Sequence, residues 1–250
     1  MVMKLVKRSF FGWPQTAAPF AKLSKGLVIH YDGPGQKLTQ KTHDYCVAYW
    51  KGVRKFHMNS HGWLDIGYSY GVCPHGLVFE GRGVDRQQAA EPGGNSTYYS
   101  STLMLGDGEV PTSIQIEATR ELRKWLMDNH GNAGTVKGHR DFNSTSCPGT
   151  VLYKMVKDGT FLKPPHPPTP WVPSKVWPYG KGIFMHNGWG LSEGVRAVQK
   201  KLNLLGWIPK LTEDGLFGDK TETAVRWFQK NHQLKVTGMV GPAEWKALFS

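Results

Sequence analysis

No stretch of the 250 residues approaches the roughly 18 consecutive apolar residues of a membrane-spanning helix, so no membrane insertion is expected. No secretory leader is expected either. Lys4, Lys7 and Arg8 supply an early basic cluster, but Phe10-Phe11-Gly12-Trp13-Pro14 interrupts any apolar run after them. Cysteine is scarce. Cys46, Cys73 and Cys147 are an odd set, too few for a disulfide framework. Acidic residues are also in deficit: 19 Asp and Glu against 31 Lys and Arg give a net charge of +12. Such a chain is drawn to polyanions by salt-screened forces. Nucleic acid is not the expected polyanion, since no zinc-finger, RRM-like or helix-turn-helix signature accompanies the charge.

Proline is plentiful but concentrated. The segment 163–178 reads KPPHPPTPWVPSKVWP, with seven prolines that favour extended, semi-rigid polyproline II and exclude a helix. It divides the chain into an N-terminal domain (1–162), a spacer (163–182) and a C-terminal domain (183–250).

The N-terminal pattern mixes strand and helix. Residues 26–31 form an apolar run suited to a buried strand. Residues 39–57 have Tyr45, Ala48, Tyr49, Val53 and Phe56 at helical spacing. Strands are expected at 68–73 and 77–80 around a Pro74-His75-Gly76 turn, and at 100–105. Residues 112–130 predict a helix whose apolar face is Ile114, Ala118, Leu122, Trp125 and Leu126. Glu117, Arg120, Glu121 and Lys124 face water, and Gly131 follows as a stop. The fold class is α/β, a central mixed sheet flanked by helices. Beyond the spacer, three short helices are expected near 195–205, 222–232 and 243–248. Asp214-Gly215-Leu216-Phe217-Gly218 and Thr237-Gly238-Met239-Val240-Gly241 form a weak repeat before the second and third.

His30, His139 and Cys147 are the candidate metal ligands. Two imidazoles and a thiolate suffice for a catalytic zinc with a fourth position open. Their surroundings carry a resemblance. Gly62-Trp63-Leu64-Asp65-Ile66-Gly67-Tyr68-Ser69-Tyr70, Gly76-Leu77-Val78-Phe79-Glu80-Gly81-Arg82 and the Gly138-His139-Arg140-Asp141 and Cys147-Pro148-Gly149 segments occur in that order. Over about 22–160 the chain resembles the type 2 N-acetylmuramoyl-L-alanine amidases, which include amidase-type phage lysozymes and peptidoglycan recognition proteins. Over about 190–250 it resembles the small three-helix peptidoglycan-binding domain, on Val198-Gln199, Leu205-Gly206-Trp207, Asp214 to Thr221 and Ala224-Val225 through Phe228-Gln229.

The resemblance implies a zinc-dependent hydrolase of the muramoyl–L-alanine amide, acting on bacterial peptidoglycan. Tyr68 takes the family's catalytic tyrosine position. Thr145 takes a second catalytic position, where phage lysozymes carry lysine and recognition-protein amidases threonine. Some relatives use a glutamate on the central strand, and 100–105 offers no acidic residue there. Asp141 is expected either to orient a ligand imidazole or to cap its loop. Glu80 and Arg82 are expected to belong to a salt-bridged hairpin, with substrate contact the alternative, and 86–99 to form a loop able to line a glycopeptide groove. His43, His57, His61, His75 and His130 are not expected to be ligands. Cys46 and Cys73 read as small buried hydrophobes, with a bridge between them the alternative that related proteins suggest. A monomeric phage endolysin is expected, held in the host cytoplasm until a holin-type pore gives it the wall. The rival is a recognition protein that binds peptidoglycan without cleaving it.

Overall fold

The computed structural model describes residues 3–41, 43–165, 175–178, 184–187 and 192–250. Most of the spacer expected at 163–182 therefore lies outside the described residues. The chain divides into two compact units, Met1–Thr169 and Pro170–Ser250.

The first unit is built on six strands: β1 (Leu5–Val6), β2 (Gly26–Tyr31), β3 (Tyr70–Val72), β4 (Val78–Glu80), β5 (Tyr98–Leu103) and β6 (Thr135–Gly138). Their order in the sheet is β1-β4-β3-β5-β2-β6. Only the β3–β4 hairpin is antiparallel. Three helices complete the unit: α1 (His43–His61), α2 (Ser113–His130) and α3 (Gly149–Lys157). Leu27 and Ile29 of β2, Val72 of β3 and Leu103 of β5 join Ala118, Leu122 and Leu126 of α2 and Leu152 of α3 in one buried core. The opposite face is covered by α1 through Trp50, whose indole lies so near Gly71 that a Cβ there would meet it at 2.6 Å.

Two helices differ in detail from their sequence patterns. The buried side of α1 is Cys46, Trp50 and His57, while Tyr45 and Phe56 are more than half exposed. The buried side is one residue out of phase with the apolar pattern because Trp50, not the tyrosines, packs on Gly71 and Phe79 of the sheet. On α2, Glu117, Arg120 and Glu121 are buried, against the expectation that they face water. A 3-10 turn at Thr160–Leu162 folds over that side. Arg120 donates to Thr160 O at 2.9 Å and to Glu117 Oε2 at 3.3 Å. Thr112 caps the start of α2, accepting from Gln115 N, and Gly131 ends it in the left-handed region, φ 62°.

The second unit contains α4 (Glu193–Leu204), α5 (Asp219–Asn231) and α6 (Pro242–Phe249). Val195, Val198, Leu202, Phe217, Val225, Phe228 and Trp245 form its core. The repeat has a structural basis. Buried Gln199 accepts from Gly215 N at 2.8 Å and donates to Leu216 O at 2.9 Å. Buried Gln229 accepts from Gly238 N at 2.8 Å and donates to Met239 O at 2.9 Å. Gly215 and Gly238 both have positive φ, 81° and 77°, which glycine adopts without strain. No helix among the described residues is long and apolar enough to cross a membrane.

Candidate active site and metal centre

Ligands in open parallel sheets gather at the carboxyl ends of strands, and here the register does the gathering. Parallel pairing of β2 with β6 sets Ile29 opposite Gly138, so His30 and His139 emerge side by side. Their ring centroids are 4.7 Å apart. The third candidate ligand arrives on the loop before α3: Cys147 Sγ lies 3.6 Å from His30 Nδ1. One atom from each of the three lies within 4.8 Å of the others.

Behind His30 stands Glu91, which sequence reasoning missed. Its Oε2 is 2.8 Å from His30 Nε2, and both side chains are fully buried. A neutral ring that donates Nε2–H to Glu91 keeps its Nδ1 lone pair toward Cys147, and burial holds the Glu91 carboxyl well above the usual carboxylate range. Burial lowers the His30 pKa to about 3. Burial, then the neighbouring His30, lowers that of His139 to about 4. Both rings are neutral near pH 7, as ligands must be. Burial foremost pushes the Cys147 thiol up to about 12, so a metal would displace its proton.

These residues open onto a cleft of about 350 Å³ that also has Asp32, Phe56, His57, Trp63, Tyr68, Ala90 and Thr145 in its walls. Tyr68 is held between aromatic rings, with centroids 5.4 Å from His30, 5.5 Å from His57 and 6.4 Å from Trp50. Burial, followed by the charges of Asp32 and Cys147, raises its pKa well above 10, so the phenol keeps its proton. Thr145 Oγ1 accepts from Cys147 N at 3.2 Å. That bond shapes the turn carrying Cys147 and leaves the hydroxyl proton available to the cleft. Asp141 caps the turn at its other end, accepting from Gly138 N at 2.8 Å and Tyr153 OH at 2.7 Å. Of its two expected roles, the loop cap is the one seen.

Asp32 was also missed. It follows His30 by two residues, and its Oδ1 accepts from Thr102 at 2.5 Å. Burial raises its pKa to about 7. The acidic group absent from β5 is thus present at the end of β2. Glu80 and Arg82, by contrast, do not pair. Glu80 accepts from Arg8 N at 3.0 Å, while Arg82 donates to Ile66 O and Gln87 O, both at 2.7 Å. The buried ion pairs of this region join Asp65 to Arg8 and Arg54.

Comparison with known proteins agrees with this geometry. Residues 192–248 match the peptidoglycan binding domain family. The peptidoglycan-recognition protein SC2 of Drosophila simulans is 30% identical over 136 residues, covering 52% of this chain and 71% of its own length. The N-acetylmuramoyl-L-alanine amidase of Sus scrofa is 33% identical over 120 residues, covering 45% of this chain but 19% of its own. Among solved structures, the complex of the recognition proteins LCa and LCx with tracheal cytotoxin aligns with a TM-score of 0.57 at 29% identity. That alignment covers 62% of this chain and 95% of the other. Bumblebee recognition protein SA aligns with the same TM-score at 25% identity, again covering 62% and 95%. With residues 21–150 matching the N-acetylmuramoyl-L-alanine amidase model, this chain belongs to that family.

Proposed function

We propose that the first unit hydrolyses the amide between N-acetylmuramic acid and L-alanine in bacterial peptidoglycan, using a zinc ion held by His30, His139 and Cys147. The observation that carries this reading is the convergence of all three side chains beside Tyr68 in one cleft. The donor set fits zinc: two neutral imidazoles and a sulfur, with a carboxylate fixing one ring from behind. Zinc supplies Lewis acidity and makes water nucleophilic near neutral pH.

The chain's own groups do the rest. As the scissile carbonyl turns tetrahedral its oxygen gains charge, and the protonated Tyr68 phenol donates to it. Thr145 offers a second, neutral donor from the cleft wall. The leaving nitrogen needs a proton, and Asp32 brings a carboxyl to the same cleft that can hold and release one. Phe56 and Trp63 give the entrance an apolar lining against which a sugar or lactyl face can pack.

The second unit, by its family match, holds the enzyme on the wall and raises the local substrate concentration. The net charge of +12 favours approach to acidic wall polymers. A wall-binding unit joined to an amidase suits a monomeric phage endolysin that reaches its substrate through a holin-type pore. Lysis of a host expressing the chain together with a holin, and not without one, is the expected outcome.

Mass spectrometry of digested peptidoglycan tests the central claim. Stem peptides with free N-terminal alanine, intact glycan strands and sensitivity to a zinc chelator are expected. Products cut elsewhere would overturn the assigned bond. No product with retained wall binding would favour recognition without cleavage. Cys147→Ala should abolish activity while leaving wall pelleting intact.

A further inference from the structure

Cys46 and Cys73 are free and buried, as small hydrophobes would be, but their company is not hydrophobic. His43 and Cys46 lie on the first turn of α1. Cys73 and His75 lie in the turn between β3 and β4. One ligand atom from each of the four falls within 4.8 Å of all the others. Cys46 Sγ is 3.4 Å from His75 Nδ1, and Cys73 Sγ is 3.8 Å from His43 Nδ1. In a tetrahedral zinc site with Zn–S of about 2.3 Å and Zn–N of about 2.0–2.1 Å, ligand atoms stand roughly 3.3–3.8 Å apart. His75 is also oriented from outside: its Nε2 donates to Lys41 O at 3.0 Å, which turns the Nδ1 lone pair toward the sulfurs. The His43 and His75 ring centroids are 5.9 Å apart.

We infer that His43, Cys46, Cys73 and His75 form a second, structural zinc site. Four protein ligands close it to water and substrate, unlike the three-ligand arrangement at His30. It joins the start of α1 to the β3–β4 turn. The far end of α1 carries Phe56 and His57 into the cleft wall, so the site braces the helix that shapes that wall. On this inference His43 and His75 are ligands, not the bystanders their sequence suggests, since ligands contributed in pairs by two separated elements form no single contiguous motif. This inference stands apart from the catalytic assignment.

Metal analysis of the full chain, purified under reducing conditions and incubated with zinc, tests it. Two tightly held equivalents are expected in the native protein, one in Cys147→Ser and one in the double variant Cys46→Ser, Cys73→Ser. Cobalt in place of zinc in Cys147→Ser should give the intense absorption of a tetrahedral dithiolate centre. If the double variant fails to fold, the native and Cys147→Ser measurements still decide. A native chain that holds no metal, or a Cys147→Ser variant that holds none, overturns the second site. So does a native mass showing Cys46 and Cys73 joined as a disulfide. Two equivalents retained in Cys147→Ser would instead refute the metal assignment at His30.

Discussion

Glu91 and His30 are joined by a 2.8 Å contact between Oε2 and Nε2, and neither side chain exceeds 1% exposure. Glu91 sets which ring nitrogen of His30 faces the cleft, and it comes from the connection between β4 and β5 rather than from any strand. Removing such a partner typically costs 10–100-fold in metal affinity. Glu91→Ala should therefore weaken zinc binding at the cleft by about that factor in chelator competition. Unchanged affinity would relieve Glu91 of its positioning role.

Tyr68→Phe keeps the ring between Trp50, His57 and His30 and deletes only the donor. Loss of one such donor costs roughly 10²–10³ in turnover. The variant should retain its zinc and its fold, with the loss falling on kcat. Full activity would remove the phenol from the reaction.

Buried histidines give the metal-free first unit a pH-dependent contribution to stability. His30, His57 and His139 have pKa values lowered to about 3, 4 and 4, burial being the leading cause in each. Unfolded histidines titrate near 6.5. At these three groups the unfolded chain binds more protons between about pH 6.5 and 4, so their contribution to stability rises with pH across that window and is lost on acidification. Asp32, raised to about 7, and Glu91, raised well above the usual carboxylate range, both chiefly by burial, contribute with the opposite sign across the same window. His57→Gln removes one of the three histidine contributions, so the Tm of chelator-treated protein should fall less from pH 7 to 4.5 in that variant than in the native chain. An equal fall in both would mean that the His57 ring is not buried neutral.

In the second unit, Gln229→Ala would strip the Gly238 turn of its clamp and leave buried backbone groups without partners. Unsatisfied groups of this kind cost about 1–3 kcal/mol each. The unit's own unfolding transition should drop, while cleavage of a small soluble muropeptide stays unchanged. A simultaneous loss of muropeptide cleavage would contradict the division into two units.

Much of this was legible because it is local. The strand at 26–31 and the helix from Thr112 to Gly131 announce themselves by apolar pattern and caps, and the ligand trio sits in recognisable motifs. What sequence could not supply was the company each residue keeps. Glu91 and Asp32 become part of the site only when loop 86–99 and the end of β2 fold onto it. Glu117, Arg120 and Glu121 read as solvent-facing because the turn that covers them lies some forty residues downstream. Cys46 and His75 are 29 residues apart, and nothing between them marks the contact.

The pairing of Ile29 with Gly138 has a consequence for how such a chain can change over time. Side chains on a strand alternate between faces, so one residue inserted within β2 before His30 would turn that imidazole into the core beneath the sheet. An exposed turn away from these strands has no such constraint and can lengthen or shorten while both histidines stay in place. Variation in length is therefore expected to accumulate in the surface connections, and the few residues of strand that carry each histidine to the cleft should be the least tolerant of any insertion.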